Sequence, residues 1–130
     1  MASAAVAHAD DLKKERPQAP VSNKEEVPKE EDESLATTTE EYSFNPLQAE
    51  KDVRIGNYYF KKGSYRAAAL RFRRATKWNG GYAEAWLRLG EAEEKQRDDK
   101  AAHEAYAKYL ELSPEAKNAP EIRKKLEKLK

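Results

Sequence analysis

Residues 83–114 read AEAWLRLGEAEEKQRDDKAAHEAYAKYLELSP, and residues 49–80 read AEKDVRIGNYYFKKGSYRAAALRFRRATKWNG. Overlaid at a spacing of 34, the stretches pair Ala49 with Ala83, Glu50 with Glu84, Ile55 with Leu89 and Gly56 with Gly90. The pairing continues without a gap through Lys61 and Lys95, Ala68 and Ala102, and Phe72 and Tyr106. Each stretch is an apolar helix carrying a glycine, followed by a helix centred on alanine. One helical unit written twice at such a period signals a repeat architecture, in which neighbouring units bury each other's apolar faces. Gly56, Gly90, Ala68 and Ala102 are small where the first helix of a unit must approach the second. Around them the reading expects Ile55, Tyr59, Phe72 and Trp78 to fill the first unit. Trp86, Leu89, Tyr106, Leu110 and Leu112 do the same in the second.

Local signals set the helix ends. Asn45 is a good N-cap, Pro46 suits the first helical position, and Gln48 stands three residues after the cap, where a capping box places its partner. A helix is therefore expected from Pro46 to about Lys62, closed by Gly63. Ser64 is expected to cap a second helix from Tyr65 to Trp78, and Asn79-Gly80-Gly81 to turn the chain. The second unit predicts helices from Tyr82 to Arg97 and from Lys100 to Leu112, with Asp98 or Asp99 as the cap and Pro114 beyond the end. A fifth helix, Pro120 to Leu129, places Ile122, Leu126 and Leu129 on one stripe. That stripe can close the last apolar face, with Arg123, Lys124, Lys125 and Lys128 turned to water. The fold class is all-α: two helix-turn-helix repeats (49–82 and 83–116) and a capping helix (119–130) in a domain spanning 45–130.

The first 44 residues read differently. Pro17, Pro20, Pro28, an acidic run from Glu30 to Glu33, a Thr37-Thr38-Thr39 tract and few large apolar residues cannot offset an ordering entropy of about 1–2 kcal/mol per residue. Residues 1–44 are therefore expected to be a disordered acidic tail, serving as a solvated spacer or as a negative segment lying across the first helices. The chain is 38% charged with a mean hydropathy of −1.07. Its net charge of +1 conceals a strong pattern. Residues 1–45 carry 5 Lys/Arg against 11 Asp/Glu, a net −6, and residues 46–78 carry 9 against 2, a net +7. Residues 79–112 carry 5 against 8, a net −3, and residues 113–130 carry 6 against 3, a net +3. No run approaches the roughly 20 apolar residues of a membrane span. The chain reads as soluble, in the cytoplasm or, if a signal peptide has been removed ahead of ASAAVAHAD, in the periplasm.

Both units resemble the tetratricopeptide repeat: Trp86, Leu89-Gly90, Ala102, Tyr106 and Pro114 in the second, Ile55-Gly56, Tyr59, Ala68, Phe72 and Ala75 in the first. Departures from the pattern are Asp52 at the first large position, Gly80 in place of Pro, Glu93 at an aromatic position, Tyr109 at a small one and Arg97 at a turn glycine. Arg123 stands where a third unit would carry its glycine. The resemblance implies a non-enzymatic module that binds a peptide or protein segment on the concave face of its first helices, as an adaptor or scaffold. Helical spacing then lines that groove with Val53, Asn57, Phe60 and Lys61 from one unit and Leu87, Glu91, Glu94 and Lys95 from the other. Family members that clamp a peptide's terminal carboxylate use a Lys one turn from the Asn. Val53 stands there instead, so that clamp is incomplete. Residues 45–72 also resemble the opening of short repeat proteins of the bacterial envelope, similar to outer-membrane assembly lipoproteins, which implies a subunit of an envelope assembly complex.

A second candidate surface is the basic helix 65–78, with Arg66, Arg71, Arg73, Arg74 and Lys77. It could meet the acidic tail, an acidic partner or nucleic acid, the last disfavoured by the acidic flanks. Two units sit near the lower limit of independent stability, so a homodimer is compatible. Catalysis has little to stand on: the chain has no Cys and only His8 and His103. Gly80-Gly81 follows no strand, and Glu91 and Glu94 share only a shallow face. No metal or cofactor is expected.

Overall fold

The computed structural model of the chain describes residues 41–129. The tail expected over 1–44 lies outside the described residues as far as residue 40. Among the described residues there are five helices and no strand: α1 (Pro46–Lys62), α2 (Tyr65–Trp78), α3 (Ala83–Lys95), α4 (Asp99–Leu112) and α5 (Ala119–Lys128). The ends of α1 follow from its caps. Asn45 Oδ1 accepts the Gln48 N–H at 3.1 Å, and the backbone N–H of Asn45 donates to the Trp78 carbonyl at 2.9 Å, tying the entry of α1 to the end of α2. The Gln48 side chain reaches Asp52 rather than returning to Asn45, so the capping box is half made. Ser64 holds the cap position of α2 without a side-chain capping bond. Asp98 resolves the choice of cap for α4, its carboxylate accepting from Ala101 N–H at 3.1 Å.

The two units turn between their helices by the same geometry, although the residues differ. Gly63 N–H donates to Phe60 O and Ser64 N–H to Tyr59 O. One period later, Arg97 N–H donates to Glu94 O and Asp98 N–H to Glu93 O. This double-bonded helix end needs a left-handed residue, supplied by Gly63 at φ 85° and Arg97 at φ 66°. Arg97 adopts it at a cost of about 1 kcal/mol. For this reason α3 stops at Lys95 and not at Arg97 as the sequence suggested.

α1 packs along α2, α3 along α4, α2 against α3, and α5 against α4. An ideal Cβ on Gly56 would stand 2.5 Å from Phe72 Cε1, and one on Gly90 2.6 Å from Tyr106 Cδ1 and Cε1. The aromatic rings thus lie flat on bare backbone. One cluster joins Tyr59, Phe72 and Leu89 with the buried alanines of α1, α2 and α3; the second joins Tyr106 and Tyr109 to Ile122 and Leu129. The stripe expected on α5 therefore closes the array. Leu112 departs from the predicted core and is 37% exposed. α4 ends at that residue, and the chain swings toward α5, whose apolar residues pack with Tyr106 and Tyr109 instead. Tyr109 fits a position expected to be small because its hydroxyl donates to Asn118 Oδ1 at 2.7 Å in the connection to α5.

Candidate functional site: the cleft between the first helices and the cap

A cleft of about 490 Å³ opens between α1, α3 and α5, lined by Phe60, Glu91, Glu94, Lys95 and Lys125. Four of these were expected from helical spacing. The fifth comes from the capping helix, whose basic face was assigned to water. Lys125 Nζ lies 3.1 Å from Glu94 Oε1 and 5.7 Å from the centre of the Tyr106 ring. The Tyr106 hydroxyl donates to the same Glu94 oxygen at 2.6 Å. A single carboxylate on α3 thereby joins α4 to α5 at the wall of the cleft.

These contacts decide the chemistry of Glu94. Burial acts to raise its pKa, but the hydrogen bonds from Tyr106 and Lys125 and the charge of Lys125 outweigh it, and the pKa is held below the usual carboxylate value. Burial, with the hydrogen bond to Glu94, pushes the Tyr106 phenol far above its ordinary range, so the hydroxyl remains a donor. A carboxylate whose folded pKa is lowered contributes stability that is fully present above its unfolded value and is lost as pH falls through the folded one. Glu94→Gln is therefore expected to lower the melting temperature most at neutral pH, with the gap to wild type closing as pH falls below the usual carboxylate range. A gap independent of pH, measured by circular dichroism, would contradict this role.

The remaining predicted groove residues divide. Asn57 and Phe60 are half-buried, and Lys61 and Lys95 are exposed. Phe60 stacks edge-on with Tyr65 at 5.1 Å, and Lys95 Nζ lies 5.8 Å from the centre of the same Tyr65 ring. Glu91 is engaged by Arg88 Nη1 at 3.1 Å. Leu87 is half-buried and packs on the second cluster. Val53 does not line the groove: it is 4% exposed and belongs to the first cluster, because α1 and α3 lie side by side there.

The basic helix is corrected more strongly. Arg71 and Arg74, expected on the surface, turn inward to Asp52, which is wholly buried. Arg71 Nη1 stands 3.1 Å from Asp52 Oδ1 and Arg74 Nε 3.7 Å from Oδ2. Arg73 remains partly exposed, but its guanidinium is hydrogen-bonded to Glu93. Burial raises the pKa of Glu93, against the lowering effect of Arg73. Exposed on α2 there remain Arg66 and Lys77, 11 residues apart, about 16 Å along the helix axis. The sequence signal was available: Asp52 departed from the pattern at a large position and Glu93 at an aromatic one, and both carry the carboxylates that take these arginines.

Among the described residues, no cluster of three His, Cys, Asp or Glu side chains could hold a metal ion, and no helix is long and apolar enough to cross a membrane. No curated protein matches the sequence. A family model described as tetratricopeptide repeat matches residues 53–117. The match begins inside α1 and runs past α4, over both helical pairs and the turns that repeat between them, and the chain belongs to the tetratricopeptide repeat family.

Proposed function

We propose that the chain is a non-enzymatic module that holds a short segment of a partner protein in the cleft between α1, α3 and α5. Proteins of this family are in general protein-interaction modules. The observation that carries the reading is the cleft itself, with the Phe60 ring at its wall and charged groups around it. Its volume falls in the range of about 300–1,000 Å³ in which ligand pockets bury their guests.

The chemistry of the segment follows from which charges are already matched. Glu94 is paired with Lys125 and accepts a hydrogen bond from Tyr106, and Glu91 is paired with Arg88. Lys95 is the exposed charge that lines the cleft with Phe60, and Lys61, next to Phe60 in the chain, is exposed as well. The fitting ligand is an apolar side chain resting on Phe60 and followed or preceded by a carboxylate. Peptides selected by display on the full chain are expected to pair an aromatic or large aliphatic residue with Asp or Glu. Truncating a central aromatic contact typically costs about 1–3 kcal/mol of binding. Phe60→Ala should then weaken the selected peptide roughly tenfold or more, while Arg66→Ala on the far helix leaves it unchanged. Equal binding by wild type and Phe60→Ala would remove the cleft from consideration.

The alternative, an acidic or nucleic-acid ligand along α2, is weakened by the inward pairing of Arg71, Arg74 and Arg73. Phosphate binding depends on a dense set of cations that neutralise several charges together, and on α2 Arg73 is bonded to Glu93 while the other exposed cations, Arg66 and Lys77, stand at opposite ends.

A further inference from the structure

The 34-residue register identifies a second surface, on the edge of α1 away from α3. Ala85 and Ala92 of α3 are wholly buried in the cluster shared with α1 and α2. The equivalent positions of α1 are Lys51 and Tyr58. Tyr58 is 39% exposed, and Lys62, one turn on, lies over its ring at 5.5 Å from the centroid. Arg54 is exposed on the same side, and Leu47, 76% exposed, begins the row. A stacking edge that is alanine in α3 is thus cationic and aromatic in α1.

We propose that the acidic run of residues 30–33, within the N-terminal segment of this chain, docks on that edge. Charge complementarity is the first argument: Glu30, Glu31, Asp32 and Glu33 are all acidic, and the edge carries Lys51, Arg54 and Lys62. Geometry is the second. Tyr42 stacks edge-on against Trp78 at 4.7 Å, with Lys77 Nζ 5.9 Å from the Tyr42 ring centre, so the segment leaves the domain at the start of α1. The eight residue-to-residue steps from Glu33 to Glu41 can span up to ~27 Å. α1, at 17 residues, is about 25 Å long, so the acidic run can reach any point along it. Tethering raises its local concentration to the millimolar order, which favours it over free acidic segments.

A second copy of the chain is a poor occupant. Edge against edge, it would oppose like charges, and head to tail it would bring this edge to the α5 end, where residues 113–130 carry a net +3. The docked run would leave the cleft open and cover the cationic side of α1. Acidic partners approaching there would have to displace it.

The chain has no cysteine, so a Ser34→Cys variant carries a single nitroxide label beside the acidic run. In the full chain at low salt, amide signals of residues 51–62 are expected to lose intensity roughly twofold or more. They should recover at about 0.5 M NaCl, where the screening length falls to about 4 Å. Neutralising the run (Glu30→Gln, Glu31→Gln, Asp32→Asn, Glu33→Gln) should abolish the loss without touching any residue of the helices, and Lys51→Glu with Lys62→Glu should do the same in a protein that keeps its helical circular dichroism. Three results would overturn the proposal. Broadening centred on α5 or the cleft would place the run elsewhere, and even broadening over all helices would mean no docking. Equal broadening in a mixture of labelled and separately isotope-enriched chains would assign the edge to a second copy.

Discussion

Asp52→Ala is expected to remove most of the domain's stability at room temperature. Asp52 is wholly buried, and its carboxylate faces Arg71 and Arg74, whose side chains are 12% and 14% exposed. Removing one member of a buried ionic cluster strands the others in a poorly hydrated site, at a cost of about 3–5 kcal/mol. Small domains have roughly 5–15 kcal/mol in hand, and one of two repeats and a cap stands at the low end. The same substitution removes the contact from Gln48 Nε2, a partner for the first turn of α1. Asp52→Trp would restore the residue type that the second unit carries at this position, Trp86, yet it should fail equally. Trp86 succeeds because its Nε1 donates to the Gly80 carbonyl at 2.9 Å and no arginine pair faces it. Replacing the whole cluster, Asp52→Leu with Arg71→Leu and Arg74→Leu, should recover much of the loss, since well-packed apolar replacements of buried ion clusters are often neutral or stabilising. Urea titrations of the single and triple variants measure both effects. A single variant as stable as wild type would mean that the cluster is not coupled to folding.

Gly90→Ala is expected to be nearly as damaging, and Gly90→Leu to abolish the fold. A Cβ at Gly90 would stand 2.6 Å from two ring carbons of Tyr106, too close for any real contact. The ring has little freedom to move aside, because its hydroxyl is hydrogen-bonded to Glu94 while the ring, carried by α4, is wholly buried against α3 and α5. Overpacking of this kind costs about 1–3 kcal/mol for small insertions and more for larger ones. Gly56→Ala meets the ring of Phe72 at 2.5 Å, but Phe72 has no hydroxyl to anchor it, so the loss there should be smaller. Shrinking the ring as well, Gly90→Ala with Tyr106→Leu, should cost less than the sum of the two single changes, the signature of directly touching residues. Thermal melts of the four proteins test the point. Additive losses would show that Gly90 is small for a reason other than Tyr106. Ala102→Leu belongs to the same class, as Ala102 is wholly buried.

The repeat was legible because it is local and periodic. The spacing of 34 fixed which residues are equivalent, glycine and alanine marked the close approaches, and Asn45, Pro46, Gly63 and Asp98 marked helix ends to within a residue or two. Four of the five residues that line the cleft, Phe60, Glu91, Glu94 and Lys95, followed from the family resemblance together with helical spacing. These are properties of a single helix or of one unit laid on its copy, and the linear order of side chains suffices to state them.

Tertiary structure decided the fate of the charges. Asp52 meets Arg71 across 19 residues, Arg73 meets Glu93 across 20, and Glu94 meets Lys125 across 31. Periodicity says which side of a helix a charged residue occupies; it does not say which distant helix brings the opposite charge to that side. Arg71, Arg74 and Lys125 therefore read as solvated surface in the sequence, and Val53 as a groove wall, until α2, α3 and α5 were packed against their neighbours. The sequence by itself determined the repeat and its small contact points. Packing determined which ions are buried partners and which remain at the surface, because burial and Coulomb energy depend on distances between helices that no local pattern encodes.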